Sequence, residues 1–219
     1  TAWHSINPIR IKFVLDVIFK NYGLNPLKDR SLKKIKILDV GCGGGLISEP
    51  MAKLGAQIEG IDADVDSIKI AKEHARKENL KIKYTNENLD MLIADNFRKF
   101  DVIFALEVLE HVDYPDDFLS KIASLTKENG LVFVSSINKN IKSLLLAKYL
   151  AEYVLNWVPR GTHDWNKFIN PSDLEKMMFK NSFELISCKG IIFNPMTLSW
   201  KIGKDTSINY ITAFKHGSI

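Results

Sequence analysis

The sequence predicts an α/β domain built on a parallel sheet. Three observations carry this: short apolar runs recur along the first 140 residues, helix-length segments separate them, and the first run stops at a glycine cluster. The run 35–40, closed by Gly41, has the continuous apolar character of a strand buried on both faces. Runs of the same kind follow at 57–62, 82–85, 100–106 and 131–136.

The helices follow in order. Asn7-Pro8 reads as an N-cap with proline at the first helical position, and Ile11, Val14, Leu15 and Ile18 recur at helical spacing to about Tyr22. Segment 46–54 suits a helix, 65–79 a longer one behind Asp64, and 116–125 another that runs on to a stop near Gly130. After Asn138 the alternation breaks. A helical stretch at 141–158 leads to a turn rich in Pro, Gly, His and Trp at 159–165; Asn170-Pro171 opens another helix, and 183–192 and 208–214 read as closing strands. The expected organisation is one domain over 1–219, with 139–170 as an insertion.

Composition narrows the function. Over 219 residues, 46% hydrophobic and 26% charged content excludes wholesale disorder. Two distant cysteines, Cys42 and Cys188, exclude a disulfide framework and a zinc module and point to a reducing compartment. The chain opens at Thr1 without a signal pattern and reads as mature or trimmed. The most apolar stretch, 141–158, contains Lys142, Lys148 and Glu152, which argues against a spanning helix. Net charge is +4, and residues 139–219 alone carry 11 bases against 6 acids. That excess reads either as a solvated surface or as a face for an anionic partner; without RGG-like or Lys/Arg blocks, nucleic acid is disfavoured.

The strongest chemical signal is Asp39-Val40-Gly41-Cys42-Gly43-Gly44-Gly45, placed between a strand and a helix. Glycines let a backbone turn tightly and approach a ligand that a Cβ would exclude. Asp62, at the end of the second strand, can accept both hydroxyls of a ribose. The dinucleotide fingerprint G-x-G-x-x-G fails, because Leu46 or Ser48 stands where its third glycine belongs. A nicotinamide oxidoreductase is thereby disfavoured. The pattern D-x-G-x-G-x-G suits a nucleoside cofactor with an amino-acid end and no pyrophosphate, S-adenosylmethionine. Cys42 reads as a packing residue.

With these residues in view, the chain resembles the class I S-adenosylmethionine-dependent methyltransferases, and within them the ubiquinone biosynthesis O-methyltransferase family. The resemblance runs from His4 almost to the C-terminus through Ile6-Asn7-Pro8-Ile9-Arg10, the loop 38–45, Glu107-Val108-Leu109-Glu110-His111, Asn138-Lys139-Asn140-Ile141-Lys142-Ser143, Gly161-Thr162-His163-Asp164, Phe193-Asn194-Pro195 and Ile208-Asn209-Tyr210. Ser5 departs from it, since the family usually has arginine there. A base-modifying methyltransferase is disfavoured: Glu107-Val108-Leu109-Glu110 follows the fourth strand, not (D/N)-P-P-(Y/F).

The resemblance implies a Rossmann-like fold with a mostly parallel seven-stranded sheet, helices on both faces and a helical insertion after strand 5. It implies a cofactor site lined by Arg10, Gly41, Asp62 and Leu106, with Asp39 and Gly43 in the glycine loop; Arg10 can pair with the methionine carboxylate. It implies O-methylation of polyprenylated phenols, catechols or demethylubiquinols in ubiquinone biosynthesis. Alone, Glu107-x-x-Glu110-His111 reads as acidic residues starting a helix. The resemblance assigns these three to a divalent cation, Mg²⁺ with Zn²⁺ or Mn²⁺ as alternatives, and leaves His111 or His163 as a general base.

In the 141–158 stretch, Leu146, Leu150, Tyr153 and Trp157 share one helical face. That face suits a core-facing helix or, with Lys139, Lys142 and Arg160 flanking it, an interfacial helix on an anionic membrane. The resemblance favours the membrane, since the family's substrates carry lipid tails. The expected location is the cytoplasm of a bacterium, peripheral to the inner membrane, where other ubiquinone-biosynthesis enzymes are possible partners. A non-catalytic lipid-binding module is the remaining alternative.

Overall fold

The computed structural model describes residues 2–94, 98–138, 168–194, 196–197 and 199–217. Five strands are parallel: β1 (Lys36–Val40), β2 (Gln57–Ile61), β3 (Ile82–Thr85), β4 (Phe100–Leu106) and β5 (Thr126–Ile137). β6 (Phe183–Asn194), β7 (Ser199–Gly203) and β8 (Asn209–His216) complete an eight-stranded sheet in the order β3-β2-β1-β4-β5-β8-β6-β7. β8 runs antiparallel to β5 and β6, and β7 antiparallel to β6. The expectation was seven strands; the added one is β7. Its alternation of exposed and half-buried positions is that of a one-sided edge strand, without the continuous apolar run that marks the others.

Among the described residues six α-helices flank the sheet: α1 (Ala2–Tyr22), α2 (Ser48–Lys53), α3 (Val65–Lys77), α4 (Leu89–Ala94), α5 (Pro115–Leu125) and α6 (Pro171–Lys180). α1 corrects the sequence reading, since it begins at Ala2 and carries Pro8 inside it. Fewer than two turns precede Pro8, so the missing N–H removes a bond near the helix end, where disruption is small. Asn7 does not cap; its amide donates to the Leu46 carbonyl at 2.7 Å and ties α1 to the glycine loop. α5 stops at Leu125 and β5 begins directly at Thr126, five residues earlier than the apolar run suggests. Elsewhere the capping chemistry holds: Asp64 accepts from Asp66 N and Ser67 N, and Asn170 accepts from Asp173 N with Pro171 following it.

Apolar side chains fill both faces. Leu89, Leu92, Leu119, Ile122, Leu174 and Met178 pack from α4, α5 and α6 onto one face, while Phe13, Val14, Ile18 and Met51 pack from α1 and α2 onto the other. Phe13 and Phe133 meet edge to face at 6.2 Å. The strand order reverses between β1's neighbours β2 and β4, and a crevice opens there at the carboxyl ends of the strands. Among the described residues, no helix is long and apolar enough to cross a membrane. The sequence-stretch 139–170 falls between β5 and α6; its residues 139–167 lie outside the described residues.

Candidate cofactor and active site

A cavity of about 570 Å³ fills the crevice, lined by Gly41, Asp62, Asn88, Glu107, Val108 and His111 among others. Gly41 brings the glycine loop to its wall, and the loop is pinned where the Gly41 and Cys42 N–H groups both donate to the Ile61 carbonyl at 2.8 and 3.1 Å. The glycines do different work. At Gly41 (φ +69°) a Cβ would lie 2.6 Å from Val108 Cγ2, so a neighbouring side chain occupies that space. Gly43 (φ +50°) has nothing within 4 Å of its missing Cβ, the open backbone a close-approaching ligand needs.

Asp62 is placed for a ribose. Its Oδ2 accepts the Gly43 N–H and its Oδ1 the Asp64 N–H, each at 2.8 Å. Each carboxylate oxygen has two lone-pair directions, so both keep one for a vicinal diol. Asn86 holds the turn by donating to the Asp62 and Ala63 carbonyls. Asp39 stands behind the loop: it is buried, accepts from the Ser48 hydroxyl at 2.6 Å, and is pushed up to about 7, mainly by burial. It ties β1 to α2 and is not part of the cavity wall.

The end of β4 supplies the opposite wall. Leu106 packs toward the α1 side of the core, and its successors Glu107 and Val108 line the cavity. Glu107 is held at φ +57°, a left-handed conformation that a non-glycine residue keeps only when its surroundings over-determine it. They do so here. Glu107 Oε1 accepts from Arg10 Nη2 at 2.6 Å and from the Ser135 hydroxyl at 2.8 Å, and Glu107 N donates to the Ser135 carbonyl at 3.0 Å. Arg10 is buried behind Glu107 and does not itself line the cavity.

Glu110 and His111 share a single 3-10 turn, Leu109–His111, whose successive residues point about 120° apart. Glu110 is consequently buried, with Ser136 donating to it at 3.0 Å, while His111 is exposed on the cavity wall. Burial first, and the negative charge of Glu107 second, raise the Glu110 carboxyl well above the usual range. The expected metal set is therefore not assembled: among the described residues, no three His, Cys, Asp or Glu side chains are grouped to hold a metal ion. His163 lies outside the described residues.

The sequence reading missed several contributors. Ser135 and Ser136 are adjacent hydroxyls in an otherwise apolar strand, and that pair was the available signal. Tyr84 of β3 packs against Gly60 and reaches the position of a Gly45 Cβ, a contact no local pattern announces.

Residues 16–188 match the family model described as a methyltransferase domain. A protein of Pelagibacter ubique (strain HTCC1062) named ubiquinone biosynthesis O-methyltransferase is 46% identical over 211 residues, 96% of this chain and 87% of that protein. One of the same name from Azorhizobium caulinodans is 43% identical over 97% of this chain and 83% of its own length. Among solved structures, magnesium protoporphyrin IX methyltransferase from Synechocystis PCC 6803 with bound SAH superposes with a TM-score of 0.66 at 19% identity, covering 97% of this chain and 86% of that one. That likeness is one of fold.

Proposed function

This chain belongs to the ubiquinone biosynthesis O-methyltransferase family, and we propose that it transfers the methyl group of S-adenosylmethionine to a ring hydroxyl of a polyprenylated catechol or demethylubiquinol. One observation carries the reading: Gly41 and the doubly anchored Asp62, whose Oδ2 holds the open Gly43 backbone, share a single cavity with Glu107 and His111.

When bound, S-adenosylmethionine supplies an electrophilic methyl on a sulfonium. The chain's own residues do the rest. Asp62 takes the ribose hydroxyls, and Gly41 and Gly43 let the backbone approach the nucleoside thioether. Arg10, buried behind Glu107, holds the Glu107 carboxylate in place rather than pairing with the methionine carboxylate as the sequence suggested. A phenol ionises near pH 10, so at neutral pH about one molecule in a thousand is reactive unless a group removes the proton. Glu107 and Glu110 lie side by side while His111 stands apart on the cavity wall, and we assign that task to the His111 imidazole, with His163 as the second candidate from the sequence. Sulfonium and phenolate charges neutralise each other during transfer, so holding the two reactants close and dry matters more than an oxyanion hole.

The reading implies a lipid-tailed substrate and peripheral attachment to an anionic membrane. The apolar face Leu146, Leu150, Tyr153 and Trp157 beside Lys139 and Lys142 supports it from the sequence. Other enzymes of ubiquinone biosynthesis are the partners it suggests.

The test is turnover of a short-chain catechol by wild type, His111→Gln and His163→Gln, with and without chelator. Loss in one histidine variant, with wild-type rate insensitive to chelation, supports the imidazole. Chelator-sensitive turnover restored by Mg²⁺ would return the role to a metal. Separately, release of the Leu150→Ser/Trp157→Ser variant from anionic vesicles supports attachment; unchanged binding removes it.

A further inference from the structure

Glu107 is the most heavily constrained residue of the cavity, yet the reading above gives it no contact with a ligand. It lines the cavity from the end of β4, directly across from the glycine loop. Its backbone is held left-handed at φ +57°, and Oε1 is clamped by Arg10 Nη2 and the Ser135 hydroxyl at 2.6 and 2.8 Å. Charge-assisted bonds of this kind fix a carboxylate's orientation. The side chain is nevertheless 17% exposed, against 8% for Arg10, so its remaining accessible surface faces the cavity. An acceptor-only group held this firmly beside open space calls for a cationic donor.

The methionine end of the cofactor is a zwitterion, an ammonium and a carboxylate on one carbon. Of the Arg10–Glu107 pair only Glu107 lines the cavity, and its charge is opposite to that of the ammonium. We propose that Glu107 is a ligand-binding residue that receives the α-ammonium group of S-adenosylmethionine, with Arg10 and Ser135 acting as positioning residues behind it. The inference rests on the cofactor reading above and assigns the recognition of its amino-acid end. It also gives the strain a role: the left-handed turn at Glu107 brings its carboxylate to Arg10 and Ser135 while Val108 fills the space over Gly41. Loss of one charge-assisted contact in a dry site corresponds to roughly tenfold or more in affinity.

The experiment compares two probes by titration calorimetry: S-adenosylhomocysteine, which has the ammonium, and 5′-methylthioadenosine, which has the same nucleoside thioether without the amino-acid end. Glu107→Gln should weaken S-adenosylhomocysteine by at least tenfold and leave 5′-methylthioadenosine within twofold. Equal weakening of both, or an unchanged S-adenosylhomocysteine affinity, would overturn the assignment. Should the melting curve show Glu107→Gln unfolded, Glu107→Asp must give the same split, because it keeps a charge for Arg10 but withdraws the carboxylate by one methylene. Failure of wild type to bind either probe would instead overturn the cofactor reading itself.

Discussion

Arg10 on α1 and Glu107 at the end of β4 are 97 residues apart in sequence and 2.6 Å apart in space. Both side chains are largely withdrawn from water. The pair joins the N-terminal helix to the strand end that forms one wall of the crevice, so closure of the site and folding of α1 are coupled.

Removing one partner of such a pair leaves a buried charge uncompensated. Arg10→Ala should lower stability by about 3–5 kcal/mol, measured by chemical denaturation. Arg10→Lys, which keeps the charge but not the planar guanidinium, should recover part of it. A loss within experimental error of zero for Arg10→Ala would show that the pair is solvated in solution.

Asp62 anchors the loop, and the proposed function gives it the ribose as well. Asp62→Ala should weaken S-adenosylhomocysteine by roughly 1.5–3 kcal/mol per lost hydrogen bond while the fold survives. Asp62→Asn should retain more of the affinity, because its one carbonyl oxygen still accepts from Gly43 or a ribose hydroxyl. Unchanged affinity in the alanine variant by calorimetry would remove Asp62 from the site.

Burial holds the Asp39 carboxyl at about 7, whereas an unfolded aspartate titrates near ~4. Between those values the native chain keeps a proton that the unfolded chain has released, so stability falls as pH rises through this window and levels off above it. The raised Glu110 adds a slope of the same sign. Asp39→Asn stays neutral at every pH and can still accept from Ser48. Relative to wild type it should therefore gain stability between pH 5 and 8, by at most about 4 kcal/mol. A parallel pH profile for the two proteins would contradict the burial argument.

Gly41 combines a positive φ with a neighbour in its Cβ position. Gly41→Ala should cost more than the ~1 kcal/mol of backbone strain alone, and Val108→Ala should relieve part of the cost in the double variant. Strict additivity of the two changes would show that Val108 is not the obstacle.

The parallel half of the sheet was legible because strands buried on both faces leave unbroken apolar runs, as at Ile37–Leu38 and Val102–Phe104. The glycine loop and Asp62 could be singled out because backbone approach and diol binding would impose residue types at fixed places, and the structure sets Gly41 and Asp62 on one crevice. β7 left no such run, and α4 is six residues, too short for its periodicity to stand out. Among the described residues the geometry gives the metal expectation no support. A tight 3-10 turn separates the adjacent Glu110 and His111, and Glu107 turns toward a partner 97 residues away. Spacing along the chain carries no information about that partner.

The most direct test supplies S-adenosylmethionine labelled in its methyl group together with a catechol bearing a short prenyl chain, and follows the label by mass spectrometry. The account predicts label on a ring oxygen, one S-adenosylhomocysteine per methyl transferred, and loss of both products in Asp62→Ala at subsaturating cofactor. Binding of S-adenosylmethionine without transfer, or label recovered on ring carbon, would contradict it.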